Sequence, residues 1–221
     1  MTIPTFEGIH TVILDYDGTI HDSTRNYIAA FKKAYAYLVG VDQAAPREWE
    51  DAEITKWLGY SSKAMWENFM PDLAGEYQST ASKMIGQTLL ERAQNGQAVL
   101  YEGALETLQA LKEKGYHLVF LSNCSHVYME AHRESFGLDR YFDKMYCTED
   151  FGFIPKYEIF EAIQADFPGG YLVVGDRFQD IEVAEHHPVH TVGCLYGFGF
   201  PEELASADAL IEDIRELNDL L

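Results

Sequence analysis

Two carboxylates that follow a short apolar run are the residues of this chain best suited to chemistry. Asp15 and Asp17 come directly after the run 12–14, and Gly18 and Thr19 follow them. Because residues i and i+2 of an extended chain project to the same side, both carboxylates are expected to face one space beyond the strand. Two carboxylates aimed at one place repel each other unless a cation joins them or one is protonated. The stretch therefore indicates a reactive or cation-binding site, and a simple strand-ending turn is the alternative.

The apolar run before these carboxylates is predicted to be a buried strand. Its β-branched and aliphatic side chains (Val12 to Leu14) run without alternation, which is typical of a strand covered on both faces. Ligands of open α/β sheets bind at the carboxyl ends of the strands. Gly18 permits a tight turn at that end and brings backbone N–H groups close to a ligand.

Further carboxylates follow a second predicted strand, the run 171–174. The segment Gly-Asp-Arg-Phe-Gln-Asp comes next and places Asp176 and Asp180 at a strand-to-helix turn. Taken alone, these two residues fit a helix N-cap and a first-turn acid. Together with Asp15 they form an all-oxygen, anionic set that suits a hard cation such as Mg²⁺.

Groups that suit a phosphoryl group occur at two other places. Ser122 and Asn123 follow the apolar run 117–121 and offer a hydroxyl and free backbone N–H groups, and Lys156 adds a positive charge at the start of a predicted helix. Taken alone, a serine there is an ordinary turn residue and a lysine an ordinary solvated one. In combination with the carboxylates, Ser122, Asn123 and Lys156 predict a phosphate subsite.

The elements that must position these residues fall into two regions. Helical patterns fill the chain from about residue 23 to 94, and strands alternate with helices after Asn95-Gly96. The predicted helices lie at about 23–40, 46–58, 61–70, 75–92, 103–114, 127–136, 157–165, 176–185 and 213–221. The predicted strands lie at 12–14, 117–121, 144–147, 171–175, 191–196 and 209–211.

This alternation predicts an α/β fold with a Rossmann-like parallel sheet core and helices on both faces. The predicted core domain is discontinuous and consists of residues 1–20 and 96–221. An all-helical cap domain, 21–95, is inserted after the first strand and directly over the proposed site, where a lid would exclude water. The three tryptophans are interpreted as the cap's own core: Trp49, Trp57 and Trp66.

Composition narrows the class of protein. The chain has 221 residues, 47% of them hydrophobic, which indicates a globular fold. Its formal net charge of −20 predicts no nucleic-acid partner and no attachment to anionic membranes, whereas a small phosphorylated metabolite remains compatible. The start at Met1 lacks a signal-peptide pattern, and no apolar run is long enough to span a bilayer. Scattered Cys124, Cys147 and Cys194 predict reduced thiols and a cytoplasmic location.

Other candidate sites are weaker. The crowded His186, His187 and His190 suggest a metal site, but their place at a predicted helix end favours dipole or cap contacts. The glycines of 193–199 lack the strand–turn–helix phosphate fingerprint, so no dinucleotide site is expected. Three cap cations are candidate substrate contacts, although solvated surface charges are the ordinary alternative: Arg47, Lys56 and Lys63.

The motifs taken together resemble the haloacid dehalogenase superfamily of phosphohydrolases. The matching segments are DYDGT at 15–19, LSN at 121–123, a lysine near 156 and GDRFQD at 175–180, in the family's order and spacing. The helical insertion has the same position, so the resemblance covers nearly the whole chain. The branch that the chain is most similar to contains phosphoglycolate phosphatase and β-phosphoglucomutase, which have a small helical cap.

The resemblance implies a division of labour between the first two aspartates. Asp15 would be the nucleophile that forms an aspartyl-phosphate. Asp17 would act as general acid toward the leaving alcohol and then as general base on water. The second aspartate also separates this chain from the dehalogenases proper, whose pattern lacks an acid there.

The resemblance also implies a Mg²⁺ cofactor and its ligands. The ion would be held by Asp15, Asp176 and the backbone carbonyl of Asp17. Asp180 would support these ligands without contacting the ion itself. The phosphoryl oxygens would be held by Ser122 and Lys156.

One departure from the family pattern concerns the lysine. Relatives carry Lys-Pro-x-x-x-x-Phe, and alignment on Phe160 puts Ile154 at the lysine position, with Lys156 following Pro155. If Lys156 does not reach the site, a non-catalytic phosphate-binding or regulatory module is the alternative to an enzyme. The expected enzyme is a Mg²⁺-dependent phosphatase acting on a small phosphomonoester. A phosphomutase acting on a sugar phosphate is the enzymatic alternative.

Overall fold

A parallel sheet forms the centre of the molecule. The computed structural model describes residues 5–221, and within that range a six-stranded sheet has the order β3-β2-β1-β4-β5-β6. All of its strand pairs are parallel. The strands are β1 (Thr11–Leu14), β2 (His117–Ser122), β3 (Lys144–Cys147), β4 (Tyr171–Gly175), β5 (His190–Cys194) and β6 (Ala209–Ile211). The predicted α/β fold is confirmed.

Strand β1 is the central element of this sheet. Leu14 pairs with Phe120 of β2 on one side and with Val174 of β4 on the other. The carboxyl ends of these three strands therefore lie next to one another. This arrangement brings 15–19, 122–123 and 175–180 to one edge, although the segments are far apart in the sequence.

Helices cover the sheet and fill the region between β1 and β2. The helices of the insertion predicted at 21–95 are α1 (Thr24–Gly40), α2 (Asp51–Thr55), α3 (Ser62–Phe69) and α4 (Gly75–Gln94), and α5 (Ala104–Glu113) follows them before β2. The remaining helices are α6 (His126–Phe136), α7 (Lys156–Ile163), α8 (Phe178–Ile181), α9 (Val183–His186) and α10 (Leu217–Leu220). Three strands have the predicted bounds: β3, β4 and β6. Six further elements agree with their predicted bounds to within one residue at either end: β1, β2, α1, α3, α5 and α6.

The predicted start of the second helix is wrong. Helix α2 begins at Asp51 rather than at Pro46, and the Glu53 carboxylate accepts a hydrogen bond from the Glu50 backbone N–H at 3.2 Å. The segment before it packs Trp49 edge-on against Phe31, with ring centroids 5.5 Å apart. Packing of this aromatic side chain therefore overrides the helix preference of 46–50.

Two other predicted helices are broken up. The helix expected over 176–185 is divided into α8 and α9, and the C-terminal helix begins with a 3₁₀ turn at Ile214–Glu216. Helix ends commonly tighten into 3₁₀ turns, which shortens the α-helical part.

Separate hydrophobic clusters lie on the sheet and among the inserted helices. Alternate residues of the strands face opposite sides, so that Leu14 and Val174 belong to one cluster and Ile13 and Val173 to the other. Helices α1 to α4 bury a third cluster, whose members include Phe31. A cluster of their own suits an inserted unit, and the boundaries 1–20 with 96–221 and 21–95 stay a prediction.

Three sequence expectations concern composition rather than fold. Cys124, Cys147 and Cys194 are free thiols, and the cytoplasmic location stays a prediction. Within residues 5–221, no helix is both long and apolar enough to cross a bilayer. The predicted absence of a signal peptide depends partly on the first four residues, which lie outside the described range.

The turn before β4 generates a test of how β1 is anchored. The Gly170 carbonyl accepts hydrogen bonds from the backbone N–H groups of His10 (2.8 Å) and Thr11 (3.1 Å). Gly170 has a φ of +79°, and a Cβ there would overlap the carbonyl oxygen of Gly8. Gly170→Ala should lower the free energy of unfolding by about 2 kcal/mol or more, as measured by urea denaturation.

The neighbouring glycine provides the matched control. A Cβ at Gly169 would meet no atom within 4 Å. Gly169→Ala should therefore change the free energy of unfolding by less than about 1 kcal/mol. Equal effects of the two substitutions would contradict the proposed close approach at Gly170.

Candidate active site

Three carboxylates meet at the carboxyl edge of the sheet. Asp15 follows β1, and its backbone N–H donates to the Val174 carbonyl at 2.9 Å, which ties it to β4. Carboxylate oxygens of Asp15, Asp176 and Asp180 lie within 4.8 Å of one another, and all three side chains are buried. Burial and the neighbouring Asp180 raise the pKa of Asp15 above its ordinary value. Such crowding of negative charge is relieved by a cation or by protonation of one carboxylate.

Lys156 supplies one positive charge to this cluster. Its Nζ lies 2.7 Å from Asp15 Oδ1 and 2.6 Å from Asp180 Oδ1. Burial alone would lower the pKa of Lys156, but the two carboxylates raise it above its ordinary value, so the side chain stays charged. Lys156 is the first residue of α7, and Pro155 occupies the N-cap. The displaced lysine of the sequence motif therefore reaches the site.

Asp176 retains capacity for a further cation. Its Oδ2 accepts a hydrogen bond from the Phe198 N–H at 2.7 Å, while its buried Oδ1 has no partner in the described part of the chain. Burial and the charges of Asp15 and Asp180 raise the pKa of Asp176 well above its ordinary value. An unpaired buried carboxylate oxygen beside two other carboxylates fits a hard divalent cation such as Mg²⁺. Asp15 and Asp176 have the free oxygens for such an ion.

The tight turn after Asp17 allows backbone to approach this oxygen set. Gly18 has a φ of +89°, and a Cβ at that position would overlap the Asp176 carboxylate. Glycine is therefore required there both for the turn and for the space.

Asp17 is surrounded by hydrogen-bond donors that the sequence did not single out. His21 Nδ1 lies 2.7 Å from Asp17 Oδ1, and the Tyr128 hydroxyl donates to the same oxygen at 2.9 Å. Burial alone would raise the pKa of Asp17, but the bonds from His21 and Tyr128 hold it below its usual range. The carboxylate form of Asp17 is thus stabilised.

A second layer of buried side chains packs behind His21 and Tyr128. The Tyr16 hydroxyl and His132 Nδ1 are hydrogen-bonded at 2.6 Å, and the His132 ring lies 4.6 Å from His21. Tyr128 and His132 are four residues apart on α6, which puts them on one helical face. That spacing is the signal by which sequence reasoning could have found the pair.

The predicted phosphate-binding residues lie around the same space. Ser122 is the last residue of β2 and is buried, and Asn123 follows it. A cavity of about 280 Å³ is lined by Asp15, Asp17, Ser122, Asn123, Lys156 and Asp180 together with side chains of the inserted helices. The structure therefore brings all the predicted site residues together. Asp176 is not part of this lining, but its carboxylate lies within 4.8 Å of that of Asp15.

One segment of the inserted helices is bound to the sheet edge. The buried Arg177 side chain donates to the Leu58 carbonyl, lies 4.8 Å from the Tyr60 ring centroid and pairs with Glu203 at 3.0 Å. Asn123 Nδ2 donates to the Gly59 carbonyl at 3.3 Å. Segment 57–60 is thereby held over the site. Sequence reasoning missed the role of Arg177.

The alternative metal site at His186, His187 and His190 is not formed among the described residues. His186 stacks on Tyr157 with ring centroids 3.8 Å apart, and His187 Nε2 bonds to the Tyr157 carbonyl at 2.8 Å. His190 faces Asp208 at 3.3 Å. Each of the three rings thus makes a structural contact, two of them with Tyr157.

The three cap cations named as candidate substrate contacts lie outside the cavity lining. Arg47 pairs with Glu53, and Lys56 lies 4.6 Å from the centroid of a Trp57 ring. Lys63 is exposed, 3.9 Å from Glu67. The three side chains thus have the contacts of ordinary surface charges, which was the alternative to a role in substrate binding.

Comparison with known proteins supports the resemblance drawn from the motifs. The model of the haloacid dehalogenase-like hydrolase family matches residues 12–194. The phosphoglycolate phosphatase of Agrobacterium fabrum is 24% identical over 221 residues, which cover 95% of this chain and 91% of that protein. The phosphoglycolate phosphatase of Aquifex aeolicus is 26% identical over 196 residues, 86% of each chain. The predicted family resemblance and the prediction of a phosphatase are confirmed.

Solved structures show the same fold over nearly the whole length. The crystal structure of a predicted phosphatase from Clostridium acetobutylicum has a TM-score of 0.82 at 22% identity, and the match covers 96% of this chain and 98% of that one. The structure of CbbY from Rhodobacter sphaeroides in complex with phosphate has a TM-score of 0.75 at 20% identity, with coverage of 95% and 96%.

The buried His132 generates a prediction about stability and pH. Burial, together with the neighbouring His21, lowers the pKa of His132 to about 4 from an ordinary 6.5. Between pH 6.5 and about pH 4, His132 is protonated in the unfolded chain but neutral in the folded one. The stability that comes from burying a neutral His132 is therefore fully present above pH 6.5 and is lost as the pH falls toward 4. His132→Asn should remove about 2 kcal/mol of the decrease in unfolding free energy between pH 7 and pH 4.5.

Urea denaturation at the two pH values measures this difference. His10 is exposed, so His10→Gln should leave the acid-dependent decrease of the wild type unchanged. The same decrease in wild type and His132→Asn would contradict a neutral His132 in the folded protein.

Proposed function

We propose that this chain, which belongs to the haloacid dehalogenase-like hydrolase family, is a Mg²⁺-dependent phosphatase that hydrolyses a small phosphomonoester through an aspartyl-phosphate. The observation that carries the proposal is the contact of Lys156 with Asp15 and Asp180 beside the free oxygen of Asp176. A nucleophile, a fixed cation and a cation-binding carboxylate thus share one buried edge of the sheet.

In the first step, an Asp15 carboxylate oxygen attacks phosphorus. A bond forms between that oxygen and phosphorus as the bond from phosphorus to the leaving alcohol breaks. Asp17 gives its proton to the leaving oxygen. The donors His21 and Tyr128 favour the ionised form of Asp17, whereas an arriving phosphate dianion raises its pKa and favours the protonated form needed here.

In the second step, water releases the phosphoryl group. Asp17, now a carboxylate, takes a proton from the water as its oxygen attacks phosphorus, and the bond to Asp15 breaks. Inorganic phosphate and the original Asp15 carboxylate result. The hydrogen bonds from His21 and Tyr128 hold the Asp17 carboxylate in one orientation for this transfer.

Mg²⁺ would be held by Asp15, the backbone carbonyl of Asp17 and Asp176. Both Asp180 oxygens already accept hydrogen bonds, from Lys156 at 2.6 Å and from the Arg177 N–H at 3.2 Å. Because these oxygens are occupied, Asp180 is assigned to the support of the metal ligands and not to the ion. When bound, the ion supplies positive charge that offsets repulsion between the carboxylates and the phosphate anion.

The phosphoryl oxygens would contact Ser122, Asn123 and Lys156. The Lys156 ammonium is already fixed by two carboxylates, so it stabilises the transition state without reorganising. The inserted helices, with segment 57–60 bound to Arg177, would exclude water as a cap. Phosphoglycolate is the first substrate to test, because two curated relatives carry its name.

Substitution of the two aspartates tests the proposed roles. Asp15→Asn should abolish Mg²⁺-dependent phosphate release, because the amide is a poor nucleophile. Asp17→Asn should lower turnover by about 10² or more while Mg²⁺ affinity changes little, since only its carbonyl is assigned to the ion. Phosphate release and calorimetric Mg²⁺ titration are the measurements.

The outcomes separate the alternatives. Asp72→Asn, at an exposed position of the inserted region, is the control and should keep full activity. Isomerised sugar phosphate without release would indicate a phosphomutase. If the wild type released no phosphate from any member of a broad panel of phosphomonoesters, the proposal of an enzyme would be contradicted. Loss of Mg²⁺ binding in Asp17→Asn would contradict the role assigned to Asp17.

Lys156 is tested separately. Lys156→Met keeps the length of the side chain but leaves Asp15 and Asp180 without their shared cation. We expect kcat/KM to fall by about 10² or more, because a fixed charge on the phosphoryl group is lost. Lys144→Met, at the exposed start of β3, should be inert. Full activity of Lys156→Met would show that this lysine contacts neither nucleophile nor phosphate during turnover.

A further inference from the structure

The roof of the active-site cavity is built from uncharged side chains. The cavity has a volume of about 280 Å³, just below the range of about 300–1,000 Å³ that is usual for small-molecule sites. The inserted helices line it with aromatic and aliphatic residues, among them Tyr27, Trp57, Tyr60, Met65, Trp66 and Ile85. This surface lines the same cavity as Asp15, Asp17 and Lys156, so the leaving group of a phosphomonoester bound there would contact it.

The cationic side chains of the cavity already have partners. Among residues 5–221, the lysine and arginine side chains that line it are Lys156 and Arg177. Lys156 is held between two carboxylates, and Arg177 pairs with Glu203 and donates to the Leu58 carbonyl. A second anionic group on the substrate would meet Tyr60, Met65 and their neighbours instead of a free cation. Burial of an unpaired carboxylate among such side chains is strongly unfavourable.

Neutral hydrogen-bonding groups, by contrast, are available in the lining. Tyr60, Ser61 and Ser62 line the cavity and carry hydroxyl groups. A hydroxyl both donates and accepts hydrogen bonds. Hydroxyl and amide groups of a ligand can pair with such side chains without bringing a charge.

We infer that the substrate is a phosphomonoester whose leaving alcohol is uncharged and carries an aromatic or apolar body with neutral hydrogen-bonding groups. The inference rests on the proposed phosphatase function and concerns the leaving alcohol, the part of the substrate that the inserted helices would contact. It separates this chain from enzymes whose substrate carries a carboxylate in addition to its phosphate, such as the phosphoglycolate after which its curated relatives are named.

A set of three substrates tests the inference on the wild-type protein with Mg²⁺. Phosphoglycolate and 2-hydroxyethyl phosphate share a skeleton and differ in one carboxylate, and 2-phenylethyl phosphate adds an apolar ring. We expect kcat/KM for 2-phenylethyl phosphate to exceed that for phosphoglycolate by at least about tenfold, with 2-hydroxyethyl phosphate also above phosphoglycolate. Asp15→Asn measured in parallel excludes a contaminating phosphatase.

Failure of this inference differs from failure of the proposed function. Phosphoglycolate hydrolysed faster than both neutral esters overturns the inference and leaves the phosphatase proposal intact. Absence of Asp15-dependent release from all three and from a wider panel overturns both.

A charge added to the roof provides a second readout. Ile85 lines the cavity on α4, whereas Thr80 is an exposed residue of the same helix outside the lining. Ile85→Lys should shift the kcat/KM ratio toward phosphoglycolate by at least about tenfold, because the carboxylate gains a partner. Thr80→Lys adds the same charge and should leave the ratio unchanged. An unchanged ratio in a folded Ile85→Lys protein would contradict the assigned place of the leaving group.

Discussion

Repulsion among buried carboxylates is the constraint on which this active site depends. Asp15, Asp176 and Asp180 converge because parallel strands β1 and β4 end side by side, and water does not screen them. The Lys156 ammonium offsets part of the charge, at 2.7 Å and 2.6 Å from two of the three. The remaining free oxygen of Asp176 fits a divalent cation. A phosphate anion can enter such a site only when positive charge is present beforehand.

The cavity joins two surfaces with different chemistry. Its floor carries the paired charges that would handle any phosphoryl group, and its roof carries the uncharged side chains of the inserted helices. Arg177 connects the two, because it follows Asp176, the residue proposed to bind Mg²⁺, in sequence and binds the carbonyl of Leu58 in segment 57–60. The same contact that positions the roof also removes the Arg177 charge from the substrate, which leaves recognition of the leaving group to packing and neutral hydrogen bonds.

Asp17 depends on a separate set of buried side chains. His21 and Tyr128 bond directly to its carboxylate, and Tyr16 and His132 pack behind them. In the proposed mechanism Asp17 transfers protons and must keep one geometry in both ionisation states, and a rigid ring cluster restricts the rotation of its side chain. The neutral His132 that this packing requires links the stability of the site to pH.

The sequence by itself determined the order of the strands along the chain, the place of the inserted helices and the aspartates after β1 and β4, because runs of buried residues and turn residues are local signals. The reach of Lys156, which an alignment on Phe160 put in doubt, was decided by where α7 begins relative to β1. The Tyr16–His132 pair, 116 residues apart, and the cavity-facing place of Trp57 also required the fold. Such contacts depend on which elements pack together, and local residue patterns do not encode that choice.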